Sequence, residues 1–323
     1  MNNEMMFAYL IHLSRHFWDD LGAPPRGLYA TKVTEDKNNM DIRLWDEIVA
    51  ELPKYGINTL VIDVGDAVIF DSHPEIAAKD AWTKEFFLQK LDEIRALGMT
   101  PLPKLNFSAC HDRWLKEYSR MVSSKIYYQV CSDLIKETCE MFGTPAYFHL
   151  GLDEEDERHQ RHCDITIIRN EKLWWHDLNF LCKECEKNGA RPWIWANMSY
   201  LKYPDTFAQN VPKSCVLSNG YHGAYAAPTE RTEKFQKSEV YHQAHLFYNE
   251  NGYDQIPLCS VWDARNNTFQ VLAIAKNELN PDLVKGFIMA PWFHVTRSER
   301  HGMLMGAETL LCARERYYPE TLE

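Results

Sequence analysis

The sequence predicts a single (β/α)8 (TIM) barrel filling residues 1–323. Three observations predict it. Strand-length apolar runs alternate with helically spaced segments eight times along the chain. The runs are continuously apolar rather than alternating, as parallel strands covered on both faces are. No linker, low-complexity segment or sequence repeat divides the chain. An open doubly wound sheet is the other arrangement such alternation allows, but it usually needs fewer strands, and no Gly-rich phosphate loop follows any of them here.

The elements follow in order. Residues 7–13 read as the first strand, and a loop containing Pro24 and Pro25 leads away from it. Leu44, Trp45, Ile48 and Leu52 give residues 41–55 a helical spacing, ended by Gly56. Residues 58–64 form the second strand and 83–97 the next helix, closed by Gly98. The third strand covers 100–107. The helix over 123–142 stops at Gly143 and Pro145. Residues 147–152 are the fourth strand, 170–187 a helix ended by Gly189, and 191–197 the fifth strand. A sixth strand at 215–219, a helix at 228–249 and a seventh strand at 258–262 follow. A helix at 269–278, an eighth strand at 286–290 and a helix at 299–316 complete the pattern.

Composition narrows the function. The chain is 45% hydrophobic and 25% charged, ordinary for a soluble globular protein. Its net charge is −11 and no basic stripe stands out, which argues against a nucleic-acid partner. No segment approaches the roughly 20 apolar residues of a membrane span. Ten tryptophans and sixteen tyrosines suit a cleft that stacks on flat apolar faces, sugar rings among them, or simply a core. Nine scattered cysteines form no disulfide framework and are expected as free thiols in a reducing, cytoplasmic setting. Cys182 and Cys185 lie inside a helix with no second pair to complete a zinc site. His159, His162 and Cys163 crowd a charged loop where a metal is a minor alternative.

The fourth strand organises the rest, because it runs into Asp153, Glu154, Glu155 and Asp156. In a parallel barrel, ligands bind beyond the C-terminal ends of the strands. A carboxyl group desolvated there acquires a raised pKa and can donate a proton. An acidic loop or helix start is the plain alternative. The other strand ends bring Arg15, His16, Asp63, Asp66, Lys104, Asn106, Trp195, Asn197, Asn219, Tyr221, Trp262, Asp263 and Trp292 to the same face. Singly, each has a structural explanation; together they describe a polar cleft walled by Trp195, Trp262 and Trp292. Glycosidic cleavage needs such a set: an acid near the leaving oxygen, a group to stabilise charge at the anomeric carbon, and side chains that hold hydroxyls. Glu154 is the natural acid. Either Asp153, orienting a 2-acetamido group, or Asp263, attacking directly, is the second group.

Several stretches resemble the catalytic barrel of family 20 glycoside hydrolases, the β-N-acetylhexosaminidases. Leu13-Ser14-Arg15-His16-Phe17 resembles the family's first-strand motif, whose Arg holds sugar hydroxyls. Gly65-Asp66 with Pro74-Glu75-Ile76, and Pro103-Lys104-Leu105-Asn106 followed by His111, are similar to its second- and third-strand segments. His149-Leu150-Gly151-Leu152-Asp153-Glu154 matches the His-x-Gly-x-Asp-Glu signature, in which the Asp orients the acetamido group and the Glu is the general acid. Trp195 and Trp292 stand where the family places pocket tryptophans. Lys104 and Asn106 replace an expected Glu and Asp, and His294 replaces an acidic residue that commonly holds hydroxyls. Tyr221 and Tyr225 are both candidates for the tyrosine that would bind the acetamido carbonyl.

The resemblance implies a retaining exo-glycosidase for terminal 2-acetamido-2-deoxy sugars, with a carbohydrate as its partner, no metal or organic cofactor, and room for a homodimer. Glu154 and Asp153 would be catalytic. Arg15, Asp66, Lys104, Asn106, His111, Trp195, Asn197, Tyr221, Trp262, Asp263, Trp292 and His294 would contact substrate. The changed positions imply a shifted sugar. Another barrel glycosidase using Glu154 with Asp263, or a sugar-binding barrel without turnover, are the competing readings. Successive side chains of a regular strand face opposite ways, so Asp153 and Glu154 reach one ligand only if the strand turns at its end.

Overall fold

The computed structural model describes residues 5–16, 36–160, 163–225 and 233–322. Its strands are β1 (Met6–His12), β2 (Thr59–Asp63), β3 (Thr100–Lys104), β4 (Tyr147–His149), β5 (Arg191–Trp195), β6 (Val216–Ser218), β7 (Leu258–Cys259) and β8 (Gly286–Met289). All neighbours pair in parallel, in the order β6-β5-β4-β3-β2-β1-β8-β7. The ring is completed at Gln255. The Leu217 N–H donates to Asp254 and the Ile256 N–H to Leu217, while Gln255 exchanges bonds with Leu283 and Lys285. The expected (β/α)8 barrel is the observed fold.

The helices are α1 (Ile42–Glu51), α2 (Lys84–Ala96), α3 (Lys125–Phe142), α4 (Glu171–Lys187), α5 (Asn197–Lys202), α6 (Pro204–Asn210), α7 (Glu233–Glu250), α8 (Asn267–Glu278) and α9 (Arg300–Tyr317). Side chains of Asp41, Thr83, Ser124 and Asn170 accept the N–H three residues on, starting α1 to α4 where a side-chain oxygen can satisfy an orphan donor. Pro53 narrows the end of α1 into a 3-10 turn, so the helical spacing of 41–55 is split in two. Short helices α5 and α6 and the 3-10 segment Arg113–Arg120 were not evident in the sequence. Pro24, Pro25, Phe17, His162 and Pro228 lie outside the described residues. No described helix is long and apolar enough to cross a membrane.

Two hydrophobic layers result. Phe7, Tyr9, Ile11, Leu60 and Ile62 point outward against the helices, and Ala8, Leu10, Val61, Leu102, Trp193 and Ile288 fill the interior. This is the two-residue period of a strand read on both faces. The interior turns polar at the level where His12, Asp63, Lys104 and His149 are in register. Lys104 Nζ donates to Asp63, whose Oδ2 also lies 3.1 Å from His12 Nδ1; lysine and aspartate are each 1% exposed. Burial favours protonating Asp63, but the Lys104 ammonium and His12 outweigh it and hold the carboxyl below its usual range. Lys104→Met would strand that carboxylate. We expect unfolding free energy to fall by about 3–5 kcal/mol in denaturant titrations; a loss no larger than the ~1 kcal/mol of an exposed pair would contradict this account.

Candidate active site

The turn after β4 decides the geometry. His149 is fully buried between Trp193 and Trp195, with ring centroids 4.7 and 4.1 Å away, and its Nδ1 accepts the Gly151 N–H at 3.0 Å. Burial, with help from the Lys104 charge, keeps this imidazole well below the ordinary histidine range and therefore neutral. Gly151 and Leu152 then adopt φ of +72° and +65°. A Cβ at Gly151 would sit 1.9 Å from Asn106 Oδ1, so only glycine fits. Leu152, a bulky residue in the left-handed region, marks a turn imposed by its surroundings. Regular β4 thus ends at His149, three residues before the end expected from sequence, and the acids leave the strand's alternation.

Asp153 and Glu154 now share one partner. His111 Nδ1 lies 2.9 Å from Asp153, and its Nε2 lies 3.3 Å from Glu154 Oε2. His159 Nε2 lies 3.1 Å from Glu154 Oε1, and its Nδ1 is 2.8 Å from both oxygens of Asp156. Five groups therefore alternate: Asp153, His111, Glu154, His159, Asp156. Burial opposes charge on His111, but Asp153 overrides it and raises the imidazolium well above the usual value. The hydrogen bond to Glu154 raises His159. Burial pushes Asp153 and Glu154 up; His111 pulls the first down, and His111 with His159 pulls the second down. This corrects the expectation that desolvation leaves Glu154 with a raised pKa: two imidazoles more than cancel it.

A buried scaffold holds this loop. Ser108 Oγ donates to the Glu154 carbonyl at 2.6 Å, and the Ala109 N–H donates to Glu155 Oε1 at 2.7 Å. Glu155 is paired with Arg169, which reaches Asp177 at 3.0 Å. Neither Glu155 nor Arg169 was distinguishable in the sequence from an acidic loop and a surface cation.

The predicted surface residues divide into two groups. Asp66, Lys104 and Asn106 are covered and bonded within the protein. Asp66 accepts from Ser14 Oγ at 2.7 Å and pairs with His16; Lys104 pairs with Asp63. Asn106 Nδ2 donates to Asp153 at 3.1 Å, while its Oδ1 accepts the Ser108 and Leu152 N–H groups. Their expected contact with substrate is revised to support of the residues that can touch it.

The remainder lie at or beyond the strand ends: Trp195, Asn197, Tyr221 and His111 are buried, Arg15, Trp262, Trp292 and His294 half-buried, and Asp263 exposed. Trp292, held at φ +63°, lies 5.9 Å from Trp195 and 5.8 Å from His12, and its Nε1 donates to His222 at 3.3 Å. Trp195 Nε1 is covered yet has no hydrogen-bond acceptor among the described residues. Trp262 packs on Phe293 at 5.9 Å. Arg15 is half-buried, and its covered Nε likewise lacks a partner among the described residues. Burial, with the charges of His12 and Arg15, pushes His294 down to about 3. Asp263 is exposed on the loop after β7, where its charge reaches Tyr221. Asn197 Oδ1 accepts the Gly220 N–H at 3.3 Å.

The sequence reading missed Tyr241. This residue of α7 stacks on Tyr221 at 4.7 Å, hydrogen-bonds the Asn197 side chain and feels the charge of Glu154. Tyr225 instead directs its hydroxyl to His245 at 3.3 Å. A tyrosine within a helix reads as core, and no local signal marks this one. None of the nine cysteines is in a disulfide. Of His159, His162 and Cys163, the minor metal alternative, His162 lies outside the described residues and His159 is engaged by Glu154 and Asp156.

No family model and no curated protein matches the sequence. Solved structures do match the fold. β-Hexosaminidase of Streptomyces plicatus, in complex with GlcNAc, superposes with a TM-score of 0.62 at 13% identity, covering 98% of this chain and 69% of that one. The GH20 exo-β-N-acetylglucosaminidase of Vibrio harveyi gives 0.63 at 12%, covering 99% and 58%. β-N-acetylhexosaminidase of Bacteroides fragilis gives 0.62 at 12%, covering 98% and 71%. The chain is thus a (β/α)8 barrel. More particularly, it has the fold of the GH20 β-N-acetylhexosaminidase barrels, and it spans about six to seven tenths of the length of these structures.

Asp112, next to His111, is fully buried, and neither carboxyl oxygen has a hydrogen-bond partner among the described residues. Burial raises its pKa from 3.8 to about 7. The protonated form is favoured by folding, so its contribution is full below pH 3.8 and is lost as pH rises to about 7. Asp112→Asn should flatten the decline in thermal stability across that window. An unchanged pH profile would show that Asp112 does not titrate there.

Proposed function

We propose that the protein is a retaining exo-glycosidase for terminal 2-acetamido-2-deoxy sugars. The observation carrying this reading is the pair of adjacent carboxylates bridged by His111 just beyond the C-terminal end of β4. The likeness in fold to structures described as β-hexosaminidases and β-N-acetylglucosaminidases supports it.

In this mechanism Asp153, braced by His111 and Asn106, accepts the acetamido N–H and offsets the positive charge that forms on the group. The acetamido oxygen attacks the anomeric carbon as the bond to the leaving oxygen breaks. Glu154 protonates that oxygen, then takes a proton from the water that opens the cyclic intermediate. The proton reaches Glu154 from His111 or His159, the two cations bonded to it. A carboxylate that is ionised at rest can thereby act as an acid, because its proton is stored on a neighbour. Arg15 holds ring hydroxyls through its fork of donors. Trp292 and Trp262 wall the sugar, with Trp195 beneath.

A panel of nitrophenyl glycosides with and without the 2-acetamido group tests the class. Turnover only with that group, with retained configuration, is expected; equal turnover without it would refute substrate assistance, and no turnover would refute the hydrolase. Glu154→Gln should lower kcat by about 100- to 10,000-fold on substrates whose leaving group needs a proton.

His159 gives a separate prediction. Removing it as His159→Gln takes one imidazolium from Glu154, whose pKa rises. The stored proton then rests on His111 alone, which holds it to higher pH once the second imidazolium beside Glu154 is gone, and the alkaline limb of the kcat profile should move upward. A lower rate with an unmoved limb would assign His159 a structural role.

A further inference from the structure

We infer that the same loop pair forms a binding site for a soft divalent cation of the zinc class, with Cys110, His111 and Glu154 as ligands. One donor atom from each lies within 4.8 Å of the others. Tetrahedral zinc, with bonds of about 2.0–2.3 Å, holds its ligand atoms roughly 3.3–3.8 Å apart. His111 Nε2 and Glu154 Oε2 already stand 3.3 Å apart. Thiol, imidazole and carboxylate form a donor set suited to zinc rather than to magnesium or calcium, which prefer oxygen.

A second, independent feature points the same way. Histidines that bind metals through one nitrogen usually direct the other to a carboxylate, which fixes the ring and raises its basicity. His111 Nδ1 faces Asp153 at 2.9 Å and leaves Nε2 on the side of Glu154. Asp153, His111 and the cation would form that carboxylate–histidine–metal line. Cys110 Sγ lies beside the Glu154 carbonyl and 3.7 Å from Ser108 Oγ. Cys110 is fully buried, whereas the Glu154 side chain is 36% exposed, so the ion enters past Glu154. Binding replaces the thiol proton of Cys110 and the Nε2 proton of His111, both released to solvent. Water completes the coordination.

The consequence is inhibition. A cation on Glu154 occupies the oxygen proposed to donate the proton and removes the charged form of His111 that supplies it. This consequence rests on the hydrolase reading; the site itself does not.

The test uses the full chain, stripped with chelator, and cobalt(II) as a spectroscopic substitute for zinc. We expect one cobalt per chain and a thiolate-to-cobalt charge-transfer band in the near ultraviolet. Zinc should displace the cobalt, and magnesium should not. Cys110→Ser should abolish the band and weaken zinc binding by about 100-fold or more. Asp36→Asn, in the other donor cluster of His16, Asp36 and Asp66, should change neither. No band from the unaltered chain at saturating cobalt would overturn the proposal, and that reading needs no variant to fold. Zinc affinity unchanged in Cys110→Ser, or lost in Asp36→Asn, would also overturn it. Chelator-reversible inhibition of glycoside turnover by zinc, reduced in Cys110→Ser, is the further expected result. A chain that bound cobalt through the thiolate but hydrolysed no glycoside would sink the hydrolase and leave the metal site standing.

Discussion

The structure depends on a change of direction over two residues. Gly151 and Leu152 take the chain out of the extended conformation just past the barrel's upper rim. Without it, Asp153 and Glu154 would face opposite sides of a strand, one toward the mouth and one toward the helices. The turn is held from three sides: the His149 ring accepts the Gly151 N–H, Asn106 fills the space a Cβ would need, and the Asn106 carboxamide also ties down Leu152 and Asp153. A motif that reads in sequence as a string of conserved-looking letters is, physically, a way of aiming two acids at one point.

Once aimed, the acids would repel each other and would favour protonation at this depth. The protein answers with imidazoles rather than with a lysine or arginine. Asp153, His111, Glu154, His159 and Asp156 alternate in sign along one line of contacts. Histidine is the side chain whose charge changes near neutral pH, so a cluster neutralised in this way can also move protons. Beneath it, His12, Asp63 and Lys104 form a second polar layer that is sealed from solvent and has a structural task.

The barrel was legible in the sequence because its strands are covered on both faces, which leaves short apolar runs between helical spacings. Strand ends were less legible. At 105–107 and 150–152 burial continues after the ladder has stopped, since the chain stays inside while it turns. The acids were readable from their residue types at a strand end, and His111 only from the family resemblance. The sorting of Lys104, Asn106 and Asp66 into supports was not, because a strand-end polar residue looks the same whether it points into the mouth or one layer below. Tyr241 was invisible for a different reason: it comes from a helix, and only the closed ring brings it beside Asn197. The charge state of Glu154 also required coordinates, since it turns on His159, five residues further along a loop.

The way the ring closes has its own consequence. Strands β1, β2 and β3 are laced by five-residue registers, whereas β6 and the segment before β7 meet through a few bonds around Gln255 and Ile256. Local opening follows the density of such bonds. Breathing of the cylinder therefore starts at the β6–β7 seam, and amide protons there exchange before those of the first strands. Asp153 and Glu154 are bolted to the β3 loop through Asn106, Ser108 and Ala109, so they travel with the stiff half of the molecule. The two acids keep their separation while the far seam loosens.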